Sequence, residues 1–351
     1  MKKNVMREKL VLKSLVVDYI KTNETVSSRV ICKNYIPSVS PATIRIDLHK
    51  LEKKNLIYQP HTSAGRIPTL QGFRDYTEQI EEEVKTISYE KSDFIREFLA
   101  KNYKDTPLAL HYIMQILAKE TDQLSFVAEP EMSYGFLRKI EVFKIAHNKL
   151  LFVVSLDSGL DKTVILNCDY DISEQQLKVL VRYANEEFMG LRIFDIMNTH
   201  LEKMSKKMNQ ENKLLSLFLQ ELNKALLEIS NYYIHFDGNI SFLEQPEFDS
   251  KKNILVFLDL MQRHDYIINV MEKNKKKKPY HIVFGEEFGR MEWYNFVLIY
   301  SKYEIFGVPG YLGILAPVRM DYLKNIPIIR DIAKTITDTT KKGMMVPQYG
   351  L

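Results

Sequence analysis

Apolar residues recur at helical spacing from about residue 6 to 22, with Leu10, Val11, Leu15, Val17 and Ile20 on one side, and predict an opening amphipathic helix. A second short helix over about 27–34 turns Val30 and Ile31 inward, and Pro37 in the following turn prevents its continuation. The third helix has a readable start. Ser40 suits the N-cap, Pro41 the first helical position, and Asp47 favours the positive end of the helix dipole. Ile44, Leu48 and Leu51 share one face, while Ala42, Thr43, Arg45, Ile46, His49 and Lys50 form the opposite arc. Leu56–Gln59, and a second short run ending at Thr69 after a small-residue tip containing Gly65, predict a two-stranded ribbon.

Beyond residue 70 the pattern changes three times. Residues 71–98 are polar and acidic, then amphipathic, and predict connecting helices with a domain boundary near 80–90. A helix over 108–119 precedes a strand over 124–129. Three β-rich runs, 136–146, 150–156 and 162–167, are separated by turn residues and predict an antiparallel meander. Helices over 173–189, 193–208 and 212–233 follow, so this stretch reads as a self-contained α+β unit. The last third predicts a loop from Pro246 and a helix over 252–262. Strands over 266–270, 281–284, 296–300 and 310–316 follow, with a closing helix over 327–337.

Length and composition narrow the class. A chain of 351 residues exceeds one ordinary core and points to two or three domains. No run reaches the 18 or so apolar residues of a membrane span. Lys13 and Asp18 interrupt the apolar stretch Leu10–Ile20, and no small-residue cleavage site follows, which favours an amphipathic helix over a signal peptide. Cys32 and Cys168 form neither a C-x-x-C pair nor a disulfide framework and fit a reducing cytoplasm. The net charge of +4 is unevenly distributed: residues 1–75 hold 14 Lys and Arg against 6 Asp and Glu, the remainder 35 against 39. Basic charge concentrated on one terminal module is the electrostatic footprint of a polyanion partner.

That charge gives the exposed arc of the third helix a chemical meaning. Thr43, Arg45, Ile46, His49 and Lys50 are candidates for base or near-base contact in a major groove, with Ile46 suited to a thymine methyl. His61 and Arg66 on the ribbon, with Lys53 or Lys54, are candidates for backbone contact. Other chemistry is not indicated. Gly285–Gly289 lacks a nucleotide fingerprint's spacing and lysine, the eight histidines show no H-E-x-x-H, and His61-Thr62-Ser63 has no structured acid partner. No enzyme activity, cofactor or metal is expected. Lys275–Lys278 reads as a solvated loop, and Arg319-Met320-Asp321-Tyr322 as a structural ion pair at a strand end.

Several of these residues also carry a family resemblance. Ser40-Pro41-Ala42-Thr43-Ile44-Arg45, Leu51-Glu52, the string Gln59-Pro60-His61-Thr62-Ser63-Ala64-Gly65-Arg66-Ile67-Pro68-Thr69, and Gly72-Phe73-Arg74-Asp75-Tyr76 resemble the heat-inducible transcription repressor HrcA family. A second block, Gly310 to Tyr322, is similar to that family's G-x-x-G-x-x-G-P-x-R-M-x-Y stretch. Two positions depart from the pattern: Ile46 stands where the family usually has Asn, and Ala316 where it usually has Gly.

The resemblance implies an α+β multidomain chain. Its parts would be a winged helix-turn-helix over 1–80, a linker helix and the first part of a GAF-like domain over 81–132, an inserted α+β dimerisation domain over 133–245, and the rest of the GAF-like domain over 246–345. It further implies a cytoplasmic homodimer that represses chaperone operons by binding the inverted repeat called CIRCE in double-stranded DNA. Repression would be modulated by the GroEL/GroES chaperonin and lost on heat shock. The alternative is a ligand-gated regulator with a small molecule in the GAF-like domain.

Overall fold

A computed structural model describes residues 2–62, 64–102, 106–207, 213–231, 233–238, 240–273 and 278–344. The chain opens with α1 (Lys2–Thr22), α2 (Ser28–Asn34) and α3 (Pro41–Lys53), followed by β1 (Ile57–Tyr58) and β2 (Ile67–Pro68), paired antiparallel. The caps form as the sequence predicts. Ser27 Oγ accepts from Val30 N at 3.3 Å, and Ser40 Oγ from Thr43 N at 3.2 Å, with Pro41 at the start of α3. The α2–α3 turn is held by Cys32 Sγ donating to the Val39 carbonyl and by Tyr35 Oη donating to Asp18 of α1 at 2.9 Å. Val11, Leu15, Ile31, Ile44, Leu48 and Leu51 meet in the core beneath.

The acidic stretch is three helices: α4 (Leu70–Gln79), α5 (Glu81–Thr86) and α6 (Ser92–Asn102), leading to α7 (Thr106–Thr121) and β3 (Leu124–Ala128). The meander is β4 (Leu137–Ala146), β5 (Lys149–Leu156) and β6 (Asp161–Asn167), in that order and antiparallel. One face of it carries Leu137, Ile140, Leu150, Phe152 and Val154, all buried. Against it lie α8 (Glu174–Phe188), α9 (Ile193–Asp195), a π turn at Ile196–His200, α10 (Leu201–Lys207) and α11 (Lys213–Ser230). Where periodicity predicts one helix over 193–208, the π turn divides it.

The chain then returns to the sheet it left. β7 (Ile234–Asp237) pairs with β3, so the meander and its helices lie between two neighbouring strands of one sheet. After α12 (Lys251–Gln262) and α13 (His264–Lys273) come β8 (His281–Phe284), β9 (Phe296–Ile305), β10 (Val308–Pro317) and α14 (Tyr322–Met344). The sheet order is β7-β3-β10-β9-β8, antiparallel throughout. Its period-two pattern divides two cores. Val297, Ile299, Ile314 and Ala316 join the core containing α14, while Phe296, Leu298, Tyr300 and Leu315 join Phe257, Leu260, Ile267 and Met271 of α12 and α13.

Two expectations need correction. Residues 266–270 lie within α13 and form no strand: the β-branched run imitates one, but the residues that bury are Ile267 and Met271, four apart on one helix face. The closing helix starts at Tyr322 rather than Pro327 and runs to Met344. Asp321 Oδ1 accepts from Lys324 N at 3.1 Å at its start, and Pro327 is accommodated early in the helix. Of the lysine run, Lys275–Lys277 lie outside the described residues.

Candidate nucleic-acid interface

The base of α3 is fixed by an ion-pair cluster with α1. Asp47 is fully buried, with Arg7 Nε at 2.5 Å and Lys50 Nζ at 3.4 Å. Glu8 of α1 accepts from Lys54 at 2.7 Å and Lys50 at 3.1 Å. The cluster therefore locks α3 against α1 and ties Lys50 and Lys54 to Glu8 while leaving both side chains partly exposed. Burial alone would raise the Asp47 carboxyl, but Arg7 and Lys50 outweigh it and hold it below its ordinary value of 3.8. A depressed folded value means the stabilisation is present at neutral pH and lost as pH falls through that lowered value. Thermal melts taken between neutral and strongly acidic pH should show Asp47→Asn already destabilised at neutral pH and with a flatter acid limb. Superimposable wild-type and variant curves would show that the cluster contributes nothing.

What α3 presents outward is what remains. Arg45, Ile46, His49 and Lys53 are exposed, Ile46 at 59%, and Arg45 and Lys53 have no ion-pair partner among the described residues. Thr43 is half-buried, its Oγ1 2.9 Å from Ser40 Oγ. His49 Nδ1 lies 3.3 Å from Glu52 Oε2 and stays largely exposed. The structure thus brings together Arg45, Ile46, His49 and Lys53 as an open arc.

The ribbon is built by the unusual string itself. Gln59 Nε2 donates to the carbonyls of Thr62 and Ala64, both at 2.9 Å, closing the loop across its base. Gly65 approaches the chain at Val26 so closely that a Cβ would lie 2.6 Å from the Val26 carbonyl carbon, which leaves room only for glycine. Arg66 exchanges both backbone hydrogen bonds with Val26 at 2.9 Å. Its guanidinium is mostly buried, 3.3 Å from Glu52. Arg66 therefore braces the ribbon on α3, and a phosphate could engage it only in competition with Glu52. His61 is exposed, as is Thr62; Ser63 lies outside the described residues. Two further cations escaped the sequence reading: Arg29 and Lys33 of α2 are both exposed. Their position on the helix that precedes the turn was the available signal, since such a helix crosses the DNA backbone in helix-turn-helix proteins.

The module is tied to the five-stranded sheet by the other motif residues. Thr69 caps α4, accepting from Gly72 N at 3.0 Å and donating to the Asn55 carbonyl at 2.6 Å. Phe73 and Tyr76 pack against Tyr322, ring centroids 6.2 and 6.1 Å apart. Arg74 pairs with Glu286 and Glu287 and stacks over Phe284 at 4.7 Å. Arg319 forms the ion pair expected of it, but with Glu247 rather than Asp321. It makes two bonds of 2.5 and 3.2 Å and donates a third to the Ile20 carbonyl at the end of α1. Sequence blocks some 250 residues apart therefore meet in one joint between module and sheet.

The comparisons with known proteins agree with this architecture. Residues 108–326 match the model of the HrcA protein C-terminal domain. The heat-inducible transcription repressor HrcA of Natranaerobius thermophilus is 30% identical over 342 residues, covering 94% of this chain and 95% of that protein. Its counterpart in Geobacter sulfurreducens is 28% identical over 94% of this chain and 96% of that protein. A crystal structure of a hypothetical protein superposes with a TM-score of 0.59 at 21% identity, spanning 96% of this chain and 98% of that one, a likeness of fold. On the strength of the family model and the near-full-length relatives, this chain belongs to the HrcA family of heat-inducible transcription repressors.

Proposed function

We propose that this chain represses heat-shock chaperone operons by binding, as a homodimer, the inverted-repeat operator CIRCE. Residues 1–80 act as a winged helix-turn-helix, with α3 as recognition helix and the β1–β2 ribbon as wing. Residues 81–132 and 246–345 form a GAF-like domain, and 133–245 an inserted dimerisation domain. The observation that carries the reading is the division of charge on the N-terminal module. Lys50 and Lys54 are paired with Glu8, Lys50 also with Asp47, and Arg66 with Glu52, while the exposed Arg45 and Lys53 have no ion-pair partner among the described residues and Ile46 and His49 face outward beside them. Exposed cations and one apolar contact on a single helix suit phosphates, guanine edges and a thymine methyl.

Dimerisation is supported by the outer face of the meander. Phe143, Leu151 and Ile165 stand in one cross-strand row, with Phe143 and Ile165 exposed at 50% and 59%, and Ile145 exposed beside them. An apolar sheet face of this kind suits a second copy of the chain. Two-fold symmetry would then set two recognition helices on successive half-sites of an inverted repeat. The protein works in the cytoplasm. GroEL/GroES keeps it competent to bind, and heat shock, by occupying the chaperonin, relieves repression. The direct test is stoichiometry: sedimentation of the protein with an operator duplex should give two chains per duplex. One chain at saturation would exclude the dimeric reading.

A further inference from the structure

A cleft of about 610 Å³ opens between the edge of the five-stranded sheet and the meander, away from the nucleic-acid interface. Part of its wall is apolar and belongs to one continuous core shared by the sheet and the meander. Leu110 and Met114 of α7, Val127 of β3, Leu160, and Ile229 of α11 all line it and are all buried. The size falls within the roughly 300–1,000 Å³ typical of small-molecule sites.

Polar groups converge at one point in these walls. Lys162 of β6 holds its Nζ 3.0 Å from Glu129 Oε2 and 4.7 Å from the centroid of the Tyr233 ring. His235 of β7 lies on the other oxygen, Nε2 to Glu129 Oε1 at 2.7 Å. The Lys162 Nζ is shielded from solvent, and its contact with Glu129 is the one charged contact it makes among the described residues. An ammonium carries three N–H donors, and one ion-pair contact leaves at least two without an acceptor. Buried donors are rarely left so, and a ligand oxygen entering the cleft would supply an acceptor.

The charge pattern selects among acceptors. Burial would raise the Glu129 carboxyl, but His235 and Lys162 outweigh that and hold it below its ordinary value, so it is ionised. A dianion beside Lys162 would face that carboxylate. Glu129 already shares the Lys162 charge and Asp161 also lines the cleft, so the site tolerates at most one further negative charge: a single carboxylate that takes the remaining ammonium donors while its apolar body lies on the walls.

We propose that this cleft binds a small amphipathic monocarboxylate, its head on Lys162 Nζ and its hydrocarbon against Leu110, Met114, Leu160 and Ile229. The site stands apart from α3 and does not depend on the repressor reading. Its occupant would touch both the five-stranded sheet, through β3 and β7, and the meander, through β6.

Isothermal titration of the full chain with octanoate, below its micelle concentration, tests the proposal against octanol and butanoate. The expected result is one saturable site per chain for octanoate, with octanol and butanoate each at least tenfold weaker. Lys162→Met should weaken octanoate at least tenfold, and Lys162→Arg should restore it to within a fewfold. His111→Trp, at an exposed position on the rim, should weaken binding without touching the core, and serves if Lys162→Met does not fold. Absence of saturable binding would overturn the proposal. So would equal affinity for octanol, or affinity unchanged in both Lys162→Met and His111→Trp.

Discussion

Ile165→Asp is expected to convert the protein from dimer to monomer and to weaken operator binding by roughly a hundredfold to ten-thousandfold, the range lost when two linked binding modules become separate. Residues facing outward on β6 alternate with those facing the helices, and Ile165 pairs with Leu151, which pairs with Phe143. An aspartate there lies at the β6 end of the outward row, its most exposed member, and, in a two-fold interface, is desolvated twice. The inner face is untouched, since Phe152 and Val154 stay buried against the helices, so the chain should still fold. Val179→Asp, also at an exposed apolar position (56% on α8), is the control and should leave both properties unchanged. Sedimentation and operator titration read the two effects together. An Ile165→Asp dimer with wild-type operator affinity would remove the meander face from the account.

Arg45→Ala is expected to cost about 1–3 kcal/mol of operator binding and to relax preference at one base pair, with no change in melting temperature. Arg45 is exposed and has no ion-pair partner among the described residues, so its removal leaves nothing unsatisfied in the free protein. Arg66→Ala makes the contrast. The Arg66 guanidinium is braced against Glu52, and alanine removes that ion pair while keeping the backbone bonds to Val26, so its loss should lower the stability of the ribbon as well as operator affinity. Titrations of each variant against a panel of single-base operator variants, together with melting curves, separate the two roles. A loss from Arg45→Ala that is uniform across the panel would make Arg45 a phosphate contact instead.

Much of the N-terminal module was readable because its signals are local. Ser40 before Pro41, a proline-bearing turn after α2, and Ile44, Leu48 and Leu51 on one face each speak within a few residues of themselves. The meander was readable for the same reason, from its alternation and short turns. What escaped depended on partners distant in sequence. Nothing near Lys50 announces that Glu8 of another helix will hold it, nor near Arg66 that Glu52 will. Arg319 was expected to pair locally, but the partner is Glu247, brought to it by the fold. Residues 266–270 misled because β-branched side chains suit a strand, while burial of Ile267 and Met271 at helical spacing decided the matter. The Lys162–Glu129–His235 group could not be seen from spacing, since it joins β6, the end of β3 and β7.

The most direct test of the central claim is fluorescence-anisotropy titration of freshly purified protein against an inverted-repeat chaperone-promoter duplex and a scrambled duplex, at one fixed salt concentration, with and without GroEL. A sequence-specific repressor should favour the inverted repeat by roughly a thousandfold or more, with GroEL increasing the active fraction. Equal and salt-sensitive binding to both duplexes, by protein verified as folded and dimeric, would contradict the account and leave a basic module without operator specificity.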